Sequence, residues 1–453
     1  PMGTHVASIG DKFKPRRLFL QRIAPRAAAT VTASSETEVS LKLWFFVGDT
    51  IAWLASKKRP TGVHKVTLEL FSCAMRQCTM GAALEVIACV LHEEGGLAAV
   101  SPQATNDFFT RMIDHVQESA IGKEDTDHTS PVTLLPGPST SCRPQADDQV
   151  LFTGAVWTQS YVHLFRDLHS RGVRISVLIY DIIPVEMPEL VGDAYYNMFS
   201  EWLDAVVSLA SVILVSSSLT RDKIIHWAER RKLQLNARIV PISFGTIKLE
   251  PFASAQELSD DRLLRRIRLK DFVLSVGTVD RRKNQALLLR IWARLVAETG
   301  GSGIPQLVLA GRDDLEIAHG EAAPLVRSGH VAVIDGPPDK AVAGLYRLCL
   351  FTIFPSLSEG YGLPVAESLS VGKLCLCSNL PVIKEFAADM VWYFEPREEA
   401  SAYELIRLAI ERSDLRAAAE SLIKQRFTSS SWTETLQSVI EAMTPLSVRH
   451  LSE

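Results

Sequence analysis

The stretch Phe354–Lys373, FPSLSEGYGLPVAESLSVGK, sets two glutamates, Glu359 and Glu367, on either side of a Gly-Tyr-Gly-Leu-Pro turn. The residues before it, CLFTIFPS from Cys349, form a short apolar and β-branched run that reads as a buried strand. Gly360 and Gly362 permit backbone angles that other residues resist and let a ligand approach the main chain closely. Pro364 suits the first position of a helix, so VAESLSVGK is expected to begin there with its free N–H groups facing back into the loop. Those groups and the helix dipole favour an anion, and a phosphate fits. Carboxylates beside a phosphate repel it unless they accept hydrogen bonds from neutral hydroxyls. A sugar nucleotide satisfies both halves, with diphosphate on the amides and sugar and ribose hydroxyls on the carboxylates.

Outward from this turn, short strands (FVLSVG, QLVLAG, VAVID, CLFTIF, LCLCS, VWYF) alternate with helical stretches such as NQALLLRIWARLVAE, KAVAGLYRL and EEASAYELIRLAI. That alternation predicts a doubly wound parallel α/β sheet. Upstream, ISVLIYD, SVILVSS and ARIVPIS are strands separated by the helical stretches MFSEWLDAVVSLA and TRDKIIHWAERRK, which predicts a second α/β unit. The region between Gly95 and Gln149, rich in proline, serine and acidic residues, reads as a long surface connection. The expected layout is a basic arm over residues 1–38, an acceptor domain over 39–248 and a nucleotide-sugar domain over 249–429. A final helix over about 430–453 is expected to pack back on the first domain.

The chain has 453 residues, 47% hydrophobic and 22% charged, enough for two domains with substantial cores. A net charge of −4 argues against a global nucleic-acid binder. Seven cysteines are an odd number without paired metal spacing, which reads as a reducing compartment; Cys375 and Cys377 share one face of a strand and read as core. No apolar run reaches the roughly 18 residues of a membrane span, and no secretory signal with a clear apolar core is read, so a cytoplasmic location is expected.

Four stretches, SVGTVDRRKNQALLL (Ser275–Leu289), LVLAGR (Leu307–Arg312), the Glu359–Glu367 element and SNLPVIKEF (Ser378–Phe386), together resemble retaining glycosyltransferases of family 4. The resemblance implies the glycosyltransferase-B fold, two facing Rossmann-like domains with the nucleotide in the cleft. In the first half, RPTGVHKVTLEL (Arg59–Leu70) looks like this family's first loop and helix. LIYDIIPVEMPE (Leu178–Glu189) is similar to a region of bacterial mannosyl- and rhamnosyltransferases of polysaccharide assembly. Members carry histidine before the aspartate where this chain has Tyr180.

Site roles follow from the resemblance. Arg282 and Lys283 would neutralise the diphosphate, as a bidentate guanidinium and a point-charge ammonium suit phosphate oxygens; a solvated basic surface run is the alternative. Glu367 would grip the ribose hydroxyls and Glu359 would lie near the donor sugar. The N–H groups of Gly362 and Leu363, within the loop of Gly360 and Tyr361, would hold the β-phosphate. Gly62 would approach from the first domain, with a tight turn as the alternative, and Asp181 would orient donor or acceptor, with a helix cap as the alternative. His64 divides between acceptor contact and surface. The base would lie against Ile334–Gly336.

The resemblance also implies a reaction without an enzyme nucleophile and without metal or other cofactor, the sugar nucleotide being a substrate. Asp125 and Asp127 lie in a polar loop without the apolar strand expected before a metal–diphosphate site, and Asp313 and Asp314 read as loop solvation. GDP-mannose is the leading donor, and a saccharide or lipid-linked oligosaccharide is the acceptor. A silent sugar-nucleotide-binding assembly subunit on the same fold is the competing reading, against which Lys283, Glu359 and Glu367 argue. The arm DKFKPRRLFLQRIAPRAAAT (Asp11–Thr30), basic with interleaved apolar residues, suits peripheral contact with an anionic membrane, with a disordered tail or an arm folded onto the first domain as the alternative.

Overall fold

A computed structural model describes residues 41–56, 61–80, 84–92, 95–105, 142–246, 267, 271–317 and 319–444. The basic arm, Asp125 and Asp127 lie outside the described residues. The first sheet contains β1 (Leu41–Phe46), β2 (Leu84–Leu91), β3 (Leu97–Ala99), β4 (Gln149–Phe152), β5 (Arg174–Ile179), β6 (Val212–Val215) and β7 (Arg238–Pro241). Their spatial order is β3-β2-β1-β4-β5-β6-β7. The second contains β8 (Phe272–Val276), β9 (Gln306–Ala310), β10 (Val331–Ile334), β11 (Thr352–Phe354), β12 (Cys375–Ser378) and β13 (Trp392–Phe394), in the order β10-β9-β8-β11-β12-β13. Among the described residues, every pairing of these strands is parallel except β2 with β3.

Both faces of each sheet are covered, which is why the strands are almost wholly apolar. Successive side chains of β1 point to opposite faces. Leu43 and Phe45 join the helices Gly62–Thr79 and Trp432–Met443, whereas Trp44 and Phe46 join Gln159–Ser170, Asp193–Leu209 and Ser218–Arg231. In the second domain, helices Gln285–Thr299 and Glu399–Glu411 bring Leu288, Ile291, Trp292, Tyr403 and Ile406 to one face, and Asp339–Leu348 brings Leu345 and Tyr346 to the other.

The segment read as a surface connection is buried at both ends. Leu97–Ala99 is a fully buried strand, Ala104 and Thr105 are also buried, and Gln149 opens β4 at 5% exposure. Short apolar runs such as LAA and QVLF cannot be typed by periodicity alone, and the polar residues between them hide the strand signal. The helix Trp432–Met443 is started by a capping box between Ser431 and Glu434, and it buries Trp432, Leu436 and Val439 in the first-domain core. No helix of the described residues is long and apolar enough to cross a membrane.

The strand orders place the crevice. In the second sheet the chain runs outward from β8 to β10 and then returns to β11 on the other side of β8, so the direction of winding reverses between β8 and β11. Ligands of open parallel sheets bind outside the carboxyl ends of strands at such a reversal. The loops there carry Arg282, Lys283 and Glu359.

Candidate active site

Glu359 is the centre of the second-domain cluster. Its Oε1 lies 2.8 Å from Arg282 Nη1 and 2.8 Å from Lys283 Nζ. Arg282 also donates to Ser358 O at 2.9 Å, while its own carbonyl accepts from Leu357 N at 2.8 Å, so the two loops are laced together. Asn284 adopts a left-handed backbone (φ 57°) and donates to Pro355 O and Pro396 O, anchoring the same crossing. Lys283 Nζ sits 4.7 Å from the centre of the Phe354 ring, at the end of β11. Burial pushes the Glu359 carboxyl up, but the Arg282 and Lys283 charges outweigh it and hold it at about 2. Burial pushes the Lys283 ammonium down against the opposing pull of Glu359. The carboxylate therefore holds the ends of both basic side chains in place.

The helix Leu363–Ser370 starts immediately after Gly362, which takes φ 105° at the N-cap, and Pro364 stands in the first turn. Gly362 and Leu363 thus stand at its N-terminus, three and four residues after Glu359. Glu367, one turn on, is 7% exposed and accepts from Tyr346 Oη at 2.7 Å. Burial pushes its carboxyl up, with Lys65 and Tyr346 pulling against it. The Tyr361 ring stacks on Phe386 at 5.0 Å and meets Phe244 edge-on at 5.0 Å.

The first domain contributes the carboxyl ends of β1, β4 and β5. Asp181 accepts from Ile183 N at 3.0 Å, the hydrogen bond of a turn-forming aspartate. Burial raises its carboxyl, opposed by the nearby Arg282 charge, and a Cβ on Gly360, next to Glu359, would stand 2.9 Å from Asp181 Cβ. Tyr180, where histidine was expected, donates to Thr153 O at 2.6 Å and reaches Val63 O at 3.3 Å, so it ties the ends of β4 and β5 to the helix Gly62–Thr79. A Cβ on Gly62 would meet nothing within 4 Å, which leaves the start of that helix open to a ligand.

His64 is not a surface residue. It is 3% exposed, stacks on Trp53 at 4.7 Å, shares a 2.7 Å hydrogen bond with Thr61 through Nδ1, and places Nε2 3.9 Å from Asp49 Oδ2. Burial lowers it to about 4, so it is neutral near pH 7. Asp49 accepts from Ala155 N at 2.7 Å. Asp314 pairs with Arg312, and the Asp313 carboxylate accepts from Ile317 N at 2.9 Å, so both acids shape the loop after β9 rather than merely solvating it. Asp335, within the segment expected to face the base, accepts from Asp313 N at 3.3 Å.

Several site residues went unread in the sequence. Lys65 forms an ion pair across the cleft with Asp339, the first residue of the helix that carries Tyr346. Ser216 bridges to Gly360, and Glu385 reaches the helix Ser218–Arg231. Asp49 and Ser216 both lie just past the carboxyl ends of strands, and that position was the available signal.

Residues 264–426 match the family model described as glycosyl transferases group 1. The chain is 25% identical over 281 residues to the serotype-specific mannosyltransferase WbdA of Escherichia coli, covering 57% of this chain and 34% of that protein. It is 27% identical over 235 residues to the O-antigen chain mannosyltransferase B of Escherichia coli, covering 51% of this chain and 60% of that one. The match thus spans about a third and three fifths of the length of these two relatives. Among solved structures, WaaG, a glycosyltransferase involved in lipopolysaccharide biosynthesis, is similar with a TM-score of 0.55 and 13% identity, over 89% of this chain and 99% of that one. At that identity the likeness is one of fold, and the fold is the expected pair of facing Rossmann-like domains, glycosyltransferase-B.

Proposed function

We propose, on the premise that residues 264–426 form a domain of the glycosyl transferases group 1 family, that this chain moves a hexose from a sugar nucleotide to a saccharide or lipid-linked oligosaccharide, with retention, in surface polysaccharide synthesis. The observation that carries the reading is the Arg282–Lys283–Glu359 trio, set against the N-terminus of the helix Leu363–Ser370 at the reversal point of the second sheet. Two cations and free helix amides make an anion site, and the buried Glu367 beside Tyr346 offers an acceptor for ribose hydroxyls. The two relatives named as mannosyltransferases support GDP-mannose as donor.

The acceptor hydroxyl attacks the sugar's anomeric carbon on the face of the departing diphosphate. The carbon–phosphate oxygen bond breaks, the new glycosidic bond forms, and the leaving phosphate takes the acceptor's proton. Arg282, Lys283 and the Gly362 and Leu363 N–H groups meet the charge that grows on the diphosphate, which is where preorganised donors lower a barrier most. Glu359 keeps the two cations in place, and Asp181 orients sugar or acceptor from the opposite wall. With this cationic set the reaction needs no metal.

A thermal-shift panel of nucleoside diphosphates tests the reading, because a ligand at 100 times its Kd stabilises the native state by about 2.7 kcal/mol. GDP is expected to raise Tm most, with mannose transfer from GDP-mannose following. A larger shift by UDP overturns the donor, and no shift by any nucleotide overturns the reading.

A further inference from the structure

Strand β6 ends at Val215, and the four residues after it receive a loop and a helix of the second domain. Ser216 is 3% exposed, and its Oγ lies 2.7 Å from Gly360 O and 2.5 Å from Tyr180 O. A hydroxyl carries one proton, so it donates to one carbonyl at a time while the other stays held against the same oxygen. Gly360 comes so close to the first domain that a Cβ on it would stand 2.1 Å from Tyr180 O and 2.9 Å from Asp181 Cβ. Two residues further on, the Ser218 and Leu219 N–H groups donate to the two oxygens of Glu385, each at 2.9 Å. These are the first donors of a helix in the first domain, and the carboxylate that satisfies them comes from the helix Pro381–Ala387 of the second.

We propose that Ser216 and Glu385 are positioning residues: they seat the Glu359–Gly360 loop on the Tyr180–Asp181 strand end and so set where the Arg282–Lys283–Glu359 trio stands relative to Asp181. The inference rests on the transferase reading, in which groups from both domains meet one reacting carbon. The seat is specific. Only glycine fits at position 360, the serine hydroxyl is the polar group between the two carbonyls, and Glu385 uses both oxygens on adjacent N–H groups, a geometry that fixes translation and tilt together. Neither residue reaches the anion site itself, so each acts on the reaction through the placement of others.

S216A, S216T, E385Q and the double variant S216A/E385Q are compared with the unaltered chain by small-angle scattering without ligand, calorimetric binding of GDP and UDP, and steady-state transfer. S216A and E385Q are expected to bind nucleotide within about twofold of the unaltered chain while kcat falls roughly 10-fold to 100-fold, since a shift of about 1 Å costs that much. S216T restores the hydroxyl and is expected to recover most of kcat, and the double variant is expected to show a larger radius of gyration. Unchanged kcat in S216A and E385Q overturns the proposal, as does a loss of nucleotide affinity equal to the loss of kcat. Should S216A fail to fold, E385Q, whose side chain lies at the surface, decides the matter by the same measurements. A chain that transfers no sugar from any donor refutes the transferase reading, and scattering then decides the seat: equal radii for the unaltered chain and the double variant overturn it.

Discussion

Two charged residues beside one carboxylate give opposite expectations for binding and turnover. If Lys283, paired with Glu359, meets phosphate charge in the ground state as proposed, a hydrogen bond to a charged group contributes about 1.5–3 kcal/mol, so Lys283→Ala should weaken nucleoside diphosphate binding roughly 10-fold to 100-fold. Glu359→Gln removes the charge that aligns both cations and should mainly lower kcat; calorimetry beside steady-state kinetics separates the two, and normal GDP binding by Lys283→Ala refutes its phosphate role. His64 offers a test by pH. Its folded value of about 4 lies below the ordinary 6.5, so the unfolded chain binds more protons between those values and stability falls as pH falls through that window. Between pH 7.5 and pH 5 this amounts to about 2 kcal/mol, which His64→Gln should remove. Glu359 acts in the same direction only below its unfolded range near 4.5, whereas the raised carboxyls of Asp49, Asp181 and Glu367 act in the opposite direction and are present in both proteins, so the difference in slope between the two reads His64. Urea midpoints at the two pH values check this, and equal pH slopes in both proteins refute it.

At the scale of elements, the helix Trp432–Met443 is the last described helix of the chain but belongs to the first domain's core. Gln149 Nε2 donates to Met443 O at 2.9 Å and Thr435 Oγ1 to Ser243 O at 2.9 Å, so β4 and the segment after β7 both hold it. A Cβ on Gly245 would stand 2.6 Å from Trp432 N, which shows how closely the segment after β7 lies under it. Leu436 is fully buried there, and Leu436→Ala should cost about 2–5 kcal/mol through lost transfer energy and a residual cavity. The expected signature is a loss of first-domain stability with nucleotide affinity kept, because Glu367, Arg282 and Lys283 lie on the other sheet. Chemical denaturation with and without GDP reads both, and a change below about 1 kcal/mol would refute the packing argument.

At the scale of the whole molecule, two expectations concern what the protein needs around it. With side-chain cations and helix amides carrying the leaving group, transfer should survive excess EDTA; complete loss restored by manganese would refute the metal-free reading. Deletion of the basic arm, which lies outside the described residues, should reduce co-sedimentation with anionic liposomes at low salt and leave transfer to a soluble acceptor unchanged. Equal binding by both forms removes the membrane role. Much of the architecture was legible locally. The strands β5 to β13 and the strand–glycine–helix turn at Glu359 are written in apolar runs and turn residues a few positions apart, and burial on both faces makes such runs unambiguous when helices alternate with them. β1 and β2, although apolar runs, went unread, and β3 and β4 are only three and four residues long on either side of a polar stretch. The partners were not legible either. Glu359 meets Arg282 across 77 positions, Ser216 meets Gly360 across 144, and Glu385 caps Ser218 across 167, each joined only because the sheet order brings those strand ends together. The sequence by itself determined which residues bear charge at the ends of which strands. Only the tertiary structure decided that Glu359 answers to two cations, that Tyr180 and His64 tie elements of the first domain together, and that Ser216 bonds Gly360 of the other sheet, since pairing across sheets depends on topology rather than on neighbours in the chain.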